Sequence, residues 1–190
     1  MTAPLGRHPQ LLAREGTVLV VIDVQEAYRP VLFEYERVAA AVARLIQGAV
    51  ALGVPLLATE QYPKGVGHTV AEVARHFPVG TVPIQKMSLS CCGAEEFMTA
   101  LIKLGCHQVL IAGIEAHACV NQTAHDLLAA GFQVHVAHDA TSSRRREEYV
   151  VGWEKMVRAG VVPATVESAL LELLRTAEVP EFKAVQRLIK

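Results

Sequence analysis

Hydrophobic residues in this chain fall into short runs that alternate with longer segments of mixed polarity. The runs are rich in β-branched side chains, which is typical of strands, and the segments between them place apolar residues at helical spacing. The predicted strands are Val18–Ile22, Val54–Ala58, Thr81–Ile84, Val109–Ile114, Phe132–Ala137 and Gly160–Pro163. The predicted helices cover 34–52, 68–76, 94–105, 118–130, 145–159 and 166–176.

The predicted strands are hydrophobic at consecutive positions rather than at every second one. Such strands belong to a parallel sheet whose two faces are both covered by helices, with each helix forming a right-handed crossover. We therefore predict a three-layer α/β/α fold with a doubly wound, six-stranded parallel sheet of the Rossmann-like type. The 190 residues suit a single domain over 1–190, with an exposed N-terminal arm over 1–15 and a C-terminal helix over 180–190.

Polar residues stand at the carboxyl ends of the predicted strands, where the ligands of doubly wound sheets bind. They are Asp23, Thr59, Glu60, Lys86, His138 and Asp139. Cys119 follows the fourth strand in a turn that leads into a helix. Since parallel strands end at the same edge of a sheet, we expect the carboxylate of Asp23, the ammonium of Lys86 and the thiol of Cys119 to meet there. These three groups are the parts of a nucleophilic site.

The sequence around Cys119 favours a reactive thiol. Two small residues, Ala116 and Ala118, precede it, and the first turn of the following helix offers unpaired backbone N–H groups. A helix N-terminus or a nearby lysine lowers the pKa of a cysteine from about 8.5 to roughly 3.5–7.5, which predicts a thiolate at neutral pH. The alternative is that Cys119 is a small buried hydrophobic residue, as free cysteines often are.

Asp23 and Lys86 also have structural alternatives. A carboxylate after a first strand can cap a helix, and a lysine after a strand can simply be solvated. Both interpretations stay open for each residue taken alone. A carboxylate, an ammonium and a thiol at three strand ends together favour a shared site.

The composition argues against several classes of partner. Hydrophobic residues make up 52% of the chain without forming a run long enough to span a bilayer, so we assign the apolar excess to a core and predict no membrane segment. The formal net charge of −1 gives no general attraction for nucleic acid. The basic cluster at 144–146 is followed by Glu147 and Glu148, which predicts a solvated helix start.

The cysteines favour a reducing compartment. Cys91, Cys92, Cys106 and Cys119 lack the spacing of zinc or redox motifs, and no apolar signal segment precedes them. We therefore expect reduced thiols in a cytoplasmic protein.

A specific combination of motifs is carried by the segments VLVVIDVQEAY, ATEQYPKGVG, IQKMSLSC and VLIAGIEAHACVNQTAHDLLAAGFQVHVAHDATSSR. Together they resemble the isochorismatase-like cysteine hydrolases, and most closely the isochorismatase domain-containing subgroup. The resemblance covers the chain from about residue 16 to its last residue. It implies a doubly wound six-stranded parallel sheet, a catalytic triad, and a non-proline cis peptide bond in the loop that binds the oxyanion. The residues that it implies are Asp23, Lys86 and Cys119 for the triad and Ile114–Glu115 for the cis peptide.

Two departures from relatives narrow the reaction that the resemblance implies. Nicotinamidases of this superfamily bind a metal through an aspartate and histidines after the second strand, where this chain reads EQYP at 60–63, with His68 nearby. We therefore predict no metal and no cofactor; a site built from His68, Glu60 and a third, distant donor is the alternative. Isochorismatases proper cleave a vinyl ether, generally without a cysteine nucleophile, whereas this chain has Cys119 at a helix start.

The resemblance and the strand-end residues together predict hydrolysis of a small amide or related C–N bond through a thioester. Asp23 takes the thiol proton, Lys86 stabilises the thiolate and keeps the carboxylate ionised, and Cys119 attacks the carbonyl carbon. Backbone N–H groups of Glu115 and Cys119 are predicted to bind the oxyanion. The predicted substrate contacts are Gln25, Glu60, Gln61, Tyr62 and His117.

The expected partners are a small-molecule substrate and further copies of the chain in a homo-oligomer, either a dimer or a tetramer. The apolar positions of the C-terminal helix suit packing on its own domain or on a partner subunit. One alternative function is a catalytically idle binding or scaffold protein, or a thiol sensor that uses Cys119. Another is a nicotinamidase-like or isochorismatase-type hydrolase.

Overall fold

The computed structural model describes residues 7–190, which form six strands and eight α-helices. The strands are β1 Thr17–Ile22, β2 Leu56–Gln61, β3 Ile84–Lys86, β4 Gln108–Ile114, β5 Gln133–Ser142 and β6 Val162–Ala164. The helices are α1 Tyr35–Leu52, α2 Pro63–Val66, α3 Ala71–Ala74, α4 Glu95–Lys103, α5 Cys119–Ala129, α6 Arg146–Ala159, α7 Val166–Leu174 and α8 Phe182–Ile189. Short 3-10 turns cover Arg14–Gly16, Glu26–Tyr28 and Cys91–Gly93.

All strand pairs are parallel, and the sheet order is β3-β2-β1-β4-β5-β6. The order runs outward from β1 in one direction and from β4 in the other, so the chain reverses its course between these two strands. The predicted doubly wound, three-layer α/β/α fold is therefore confirmed. The reversal opens a crevice beyond the ends of β1 and β4, which is the binding position in folds of this type.

The two faces of the sheet each support a hydrophobic core. Leu19 and Val21 of β1 pack into the core beneath α1, α7 and α8, whereas Val18, Val20 and Ile22 pack into the core beneath α4, α5 and α6. Because both faces are covered, every residue of β1 is buried. This double burial is the physical reason for consecutive rather than alternating hydrophobic positions.

The strands differ in extent from their predicted bounds. β2 runs on to Gln61, so Thr59 and Glu60 lie within it, and β3 and β5 differ most. β3 begins only at Ile84, because Pro83 has no N–H to donate to a ladder. β5 continues to Ser142 through a register shift opposite residues 111–113 of β4. His138 and Asp139 therefore lie within a strand, and their prediction as strand-end residues is wrong. Asp139 instead accepts a hydrogen bond from the N–H of Val166 at the start of α7.

The chain ends pack on the domain. Leu12 is fully buried and its N–H donates to Glu172 Oε2 at 2.9 Å, so the prediction of an exposed arm is wrong at that residue. Residues 1–6 lie outside the described part. Helix α8 buries Val185 against the core beneath α1 and α7 of the same chain. Within the described chain, no helix combines the length and apolarity needed to cross a bilayer.

Candidate active site

Asp23 follows β1 directly. Its backbone adopts a left-handed conformation, with φ of 51°, so the chain turns away from the strand at this residue. Aspartate tolerates this region better than most residues because its short polar side chain can bond locally. The N–H of Asp23 donates to the carbonyl of Thr59 in β2 at 3.2 Å. The turn thus keeps the carboxylate against the end of β2, with only 1% of the residue exposed.

Lys86 ends β3 and forms a buried ion pair with Asp23. Its Nζ lies 2.7 Å from Asp23 Oδ2, and neither side chain reaches solvent appreciably. The ammonium also donates to Gln61 Oε1 at 2.7 Å and to the carbonyl of Leu89 at 3.0 Å. Burial alone would lower the pKa of Lys86, but the charge of Asp23 and the two nearby thiol groups raise it. Lys86 is therefore a fixed cation whose protons all have acceptors.

Cys119 is the first residue of α5, five residues after the end of β4. Two close approaches fix the chain around it. Gly113 has φ of 120°, and a side chain there would overlap the Ile22 carbonyl of β1. A Cβ on Gly152 of α6 would lie 2.7 Å from His117 Cα, two residues before the thiol. Since glycine alone permits such contacts, the backbone around Cys119 is held from both sides.

The thiol of Cys119 is neutral in this structure. Burial and the neighbouring Asp23 carboxylate raise its pKa to about 12, while Lys86 lowers it by less. The predicted thiolate at neutral pH is therefore wrong, because the helix start is not open to solvent. A neutral thiol beside a buried carboxylate needs that carboxylate as a base when it reacts.

The loop before Cys119 offers free backbone donors. The N–H groups of Ala118 and Val120 both donate to the carbonyl of Glu115, whereas those of Glu115 and Cys119 have no protein acceptor within residues 7–190. The Ile114–Glu115 peptide bond is cis, at the position that the sequence resemblance implies. The Glu115 carboxylate accepts hydrogen bonds from the backbone N–H and the Nε of Arg144, at 2.8 and 3.0 Å. Arg144 was predicted only as part of a solvated helix start.

Two predicted substrate contacts use their polar atoms inside the protein. Gln25 is fully buried; its Nε2 donates to the carbonyls of Gln61 and Gly67, and its Oε1 accepts from the N–H of Gln61. Glu60 accepts from the N–H and hydroxyl of Thr69 and contacts His68 Nδ1 at 3.0 Å. Both residues therefore hold the loop after β2 in place.

The other three predicted contacts differ in position: Gln61 touches two members of the site, and Tyr62 and His117 border separate cavities. Gln61 Oε1 lies 2.7 Å from Lys86 Nζ and 4.0 Å from Cys119 Sγ, so its amide bridges two members of the site. Tyr62 borders a cavity of about 240 Å³ that also reaches Lys86. His117 donates to or accepts from Ser143 Oγ at 3.0 Å. It borders a cavity of about 390 Å³, whose other lining residues are Val31, Arg144, Arg145 and Glu148.

Three residues near Asp23 and Cys119 were not predicted as part of the site from the sequence. Thr59, predicted at a strand end but given no role, donates its hydroxyl to Asp23 Oδ1 at 2.7 Å. Cys91 places its sulfur 3.7 Å from that hydroxyl. Tyr28 lies close enough for the charges of Glu115, Cys119 and Asp23 to act on its phenol, whose pKa is raised to about 12 by burial first and then by these charges. For Tyr28 the only available signal was its place five residues after Asp23.

Residues 7–190 contain no cluster of three side chains suited to a metal ion. The Glu60–His68 pair forms, but the histidine side chain is 76% exposed and both carboxylate oxygens already accept hydrogen bonds. The hydrogen bonds from Thr69 and His68 lower the pKa of Glu60 against the opposing effect of burial.

The fold agrees with comparisons to known proteins. The family profile for the isochorismatase domain matches residues 17–168. Isochorismatase domain-containing protein 2 of Danio rerio is 39% identical over 188 residues, which covers 98% of this chain and 91% of that protein. Isochorismatase domain-containing protein 1 of Salmo salar is 40% identical over 174 residues, and the match spans 92% of this chain but only 61% of that protein.

A solved structure, named MAR1 ribonuclease from Caenorhabditis elegans, superposes with a TM-score of 0.89 at 36% identity, covering 94% of this chain and 91% of that one. Sequence and three-dimensional similarity thus extend over nearly the whole chain. The chain belongs to the isochorismatase family.

Proposed function

We propose that this protein is a cysteine hydrolase that cleaves a small amide or related C–N bond through a thioester on Cys119. The observation that carries the proposal is the buried Asp23–Lys86 ion pair beside a thiol at a helix start. A buried, fully desolvated pair costs free energy that an apolar pair would not, so its presence at a strand-end crevice supports a chemical role.

The first step is a proton transfer coupled to attack. Asp23 takes the Cys119 proton as the sulfur forms a bond to the substrate carbonyl carbon, and the carbonyl π electrons move onto oxygen. Asp23 Oδ2 suits this role, because within residues 7–190 it accepts no hydrogen bond besides its ion pair with Lys86, and Asp23 lies close enough to act on the Cys119 thiol. The free N–H groups of Glu115 and Cys119 support an oxyanion site, where one donor is typically worth 10²–10³ in rate.

The second step releases the amine. The oxyanion collapses, the C–N bond breaks, and protonated Asp23 gives its proton to the leaving nitrogen, which leaves a thioester. Water then gives a proton to Asp23 and attacks the thioester carbonyl, and the sulfur recovers that proton as the acid departs. Lys86 stays charged throughout and offsets the negative charge that passes between Asp23 and the sulfur.

The cavities that border the predicted contacts suit a small substrate. The cavities that border His117 and Tyr62 are about 390 and 240 Å³, which fit a molecule of a few to a dozen heavy atoms rather than a polymer. Gln61, Tyr62 and His117 are the side chains that we propose to contact it, together with the phenol of Tyr28, which lies near Cys119 and Asp23. Gln25 and Glu60 would act at one remove, by holding the loop that carries Gln61.

RNA is the second substrate to test, because the nematode relative is named a ribonuclease. The net charge of −1 gives the chain no overall attraction for a polyanion, which favours the small amide.

The test is a panel of small amides and carbamates assayed by ammonia release, with a labelled RNA assayed in parallel. We expect turnover of at least one amide by the wild-type protein and none by Cys119→Ala. Cys106→Ala is the matched control, since this partly exposed thiol lies away from the ion pair and its loss should leave turnover unchanged. RNA cleavage that survives Cys119→Ala, with no amide turned over, would overturn the proposal. Oxidation of Cys119 by peroxide without any turnover would instead support the thiol sensor.

A further inference from the structure

A buried hydrogen-bond chain approaches Asp23 from the side opposite to Lys86. Thr59 lies beside Ile22 in the β1–β2 register, and its hydroxyl donates to Asp23 Oδ1 at 2.7 Å. Thr59 and Asp23 are each only 1% exposed, so no solvent competes for this bond. The carboxylate is thus held at one oxygen by a hydroxyl and at the other by an ammonium.

Cys91 fixes the direction of the Thr59 hydroxyl. Its sulfur lies 3.7 Å from Thr59 Oγ1, and its backbone N–H donates to Thr123 Oγ1 of α5 at 2.9 Å. A hydroxyl has one proton, and Thr59 gives that proton to Asp23. The Cys91 thiol must therefore be the donor in its contact with Thr59.

The protonation state of Cys91 agrees with this direction. Its sulfur is fully buried, and burial together with the charge of Asp23 raises its pKa to about 11. The thiol keeps its proton at neutral pH and remains a donor.

We propose that Thr59, oriented by Cys91, is a positioning residue that keeps Asp23 ionised and leaves Oδ2 as the oxygen that takes the Cys119 proton. The inference rests on the proposed function for its catalytic meaning. A hydrogen bond to the ionised form of a carboxylate favours that form, so its removal makes the ionised form of Asp23 less favourable. Because Oδ1 already accepts the Thr59 hydrogen bond, Oδ2, the oxygen next to Lys86, is left to take the proton.

The test compares Thr59→Val, which keeps the shape of the side chain but removes the hydroxyl, with Thr59→Ser, which retains it. The first readout is the rate of Cys119 alkylation by iodoacetamide between pH 5 and 9, followed by mass spectrometry, which requires no substrate. The second is the pH profile of turnover on any amide that the wild-type protein cleaves. Thr141→Val is the matched control, because within residues 7–190 the buried Thr141 hydroxyl has no hydrogen-bond partner.

The acid limb of each profile is the part in which the rate falls as the pH is lowered. In Thr59→Val we expect this fall to occur about one pH unit higher than in wild type, the effect of losing one hydrogen bond to a charge. Thr59→Ser and Thr141→Val should keep the wild-type limb, and Cys91→Ala should shift it in the same direction as Thr59→Val but less. Unfolding midpoints of all variants identify any that fail to fold; if Thr59→Val does, Thr59→Ala, which also lacks the hydroxyl, takes its place.

Two outcomes overturn the inference. If folded Thr59→Val shows the same acid limb as wild type, the hydroxyl has no role in positioning Asp23. If Cys91→Ala shows the same acid limb as wild type, that thiol does not orient Thr59. Failure of the proposed function has a different signature. Wild-type protein would then turn over no amide, while the alkylation limb would still move in Thr59→Val.

Discussion

Lys86 Nζ and Asp23 Oδ2 lie 2.7 Å apart, and both side chains are buried. The two residues come from strands separated by β2 in the sheet, yet their side chains meet above its end. Each charge therefore depends on the other for stability as well as for any chemistry, since an unpaired buried charge is strongly unfavourable.

Asp23→Asn tests the proton acceptor. The amide keeps the size of the carboxylate but cannot take the thiol proton, so turnover should fall by about 10²–10⁴-fold. Asp126→Asn, on the exposed face of α5, is the control and should retain activity. Steady-state turnover of both variants is the measurement. Near-normal turnover in Asp23→Asn would show that Asp23 is purely structural.

Lys86→Met tests the cation. Lys86 lowers the pKa of Cys119 against the effects of burial and Asp23, so its removal should raise that pKa further. Labelling of Cys119 by iodoacetamide at pH 7 should slow about tenfold or more, the effect of one pKa unit. Loss of the counter-charge should also cost roughly 3–5 kcal/mol of unfolding free energy.

The control for the cation is Lys103→Met, on an exposed position of α4. It should change neither the labelling rate nor the urea midpoint. Equal labelling of Cys119 in Lys86→Met and wild type would remove Lys86 from the site.

Tyr28→Phe tests a phenol that has no hydrogen-bond partner in the described chain. Because the pKa of Tyr28 is raised to about 12, the phenol is a neutral donor at working pH. Its removal should reduce kcat/KM by about 3–10-fold, the effect of one neutral hydrogen bond to a bound substrate, without loss of stability. Tyr149→Phe should show the opposite pattern, since its hydroxyl donates to the carbonyl of His138 and serves the fold alone.

The buried His135 should make the folded protein less stable as the pH falls. Burial lowers its pKa to about 4, whereas an unfolded chain has about 6.5. As pH falls below 6.5 the unfolded state binds the proton first, so stability drops until pH reaches about 4. The loss should be on the order of 2–4 kcal/mol.

Urea unfolding at pH 7, 5.5 and 4.5 measures that loss. His135→Met, which cannot take a proton, should lose less stability over the same interval than the wild-type protein does. Parallel pH dependence in the two proteins would show that other groups dominate acid unfolding.

A chelation experiment tests the prediction that no metal takes part. The Glu60–His68 pair lacks a third ligand within residues 7–190, so turnover should survive dialysis against EDTA. If activity is lost and Zn²⁺ or Mn²⁺ alone restores it, the metal-dependent, nicotinamidase-like alternative applies instead.

The sequence predicts the position of a residue along a strand better than it predicts its environment. Asp23, Lys86 and Cys119 were predictable as neighbours because parallel strands end at one edge of the sheet, whatever their side chains do. The protonation state of Cys119 could not be predicted from the sequence, because the burial of the thiol depends on how the helices pack over the turn. Gln25 and Glu60 were predicted as substrate contacts, and only the structure gives their hydrogen-bond partners inside the protein.

The same limit explains the residues that were missed. The role of Thr59 depends on one side-chain rotamer, and that of Tyr28 on a short 3-10 turn with no hydrophobic periodicity. The length of β5 depends on a register shift that no hydrophobic pattern marks.

The position of Lys86 in the sheet has a consequence for heat inactivation. β3 is a three-residue edge strand that pairs only with β2, and it supplies the ammonium of the site. Short edge strands open locally at a lower free energy than the central strands, which separate only on global unfolding. Warming should therefore detach β3 and split the ion pair while β1 and β4 are still folded. The protein would then lose its catalytic competence some degrees below its melting temperature, and would recover it on cooling because the rest of the sheet remains as a template.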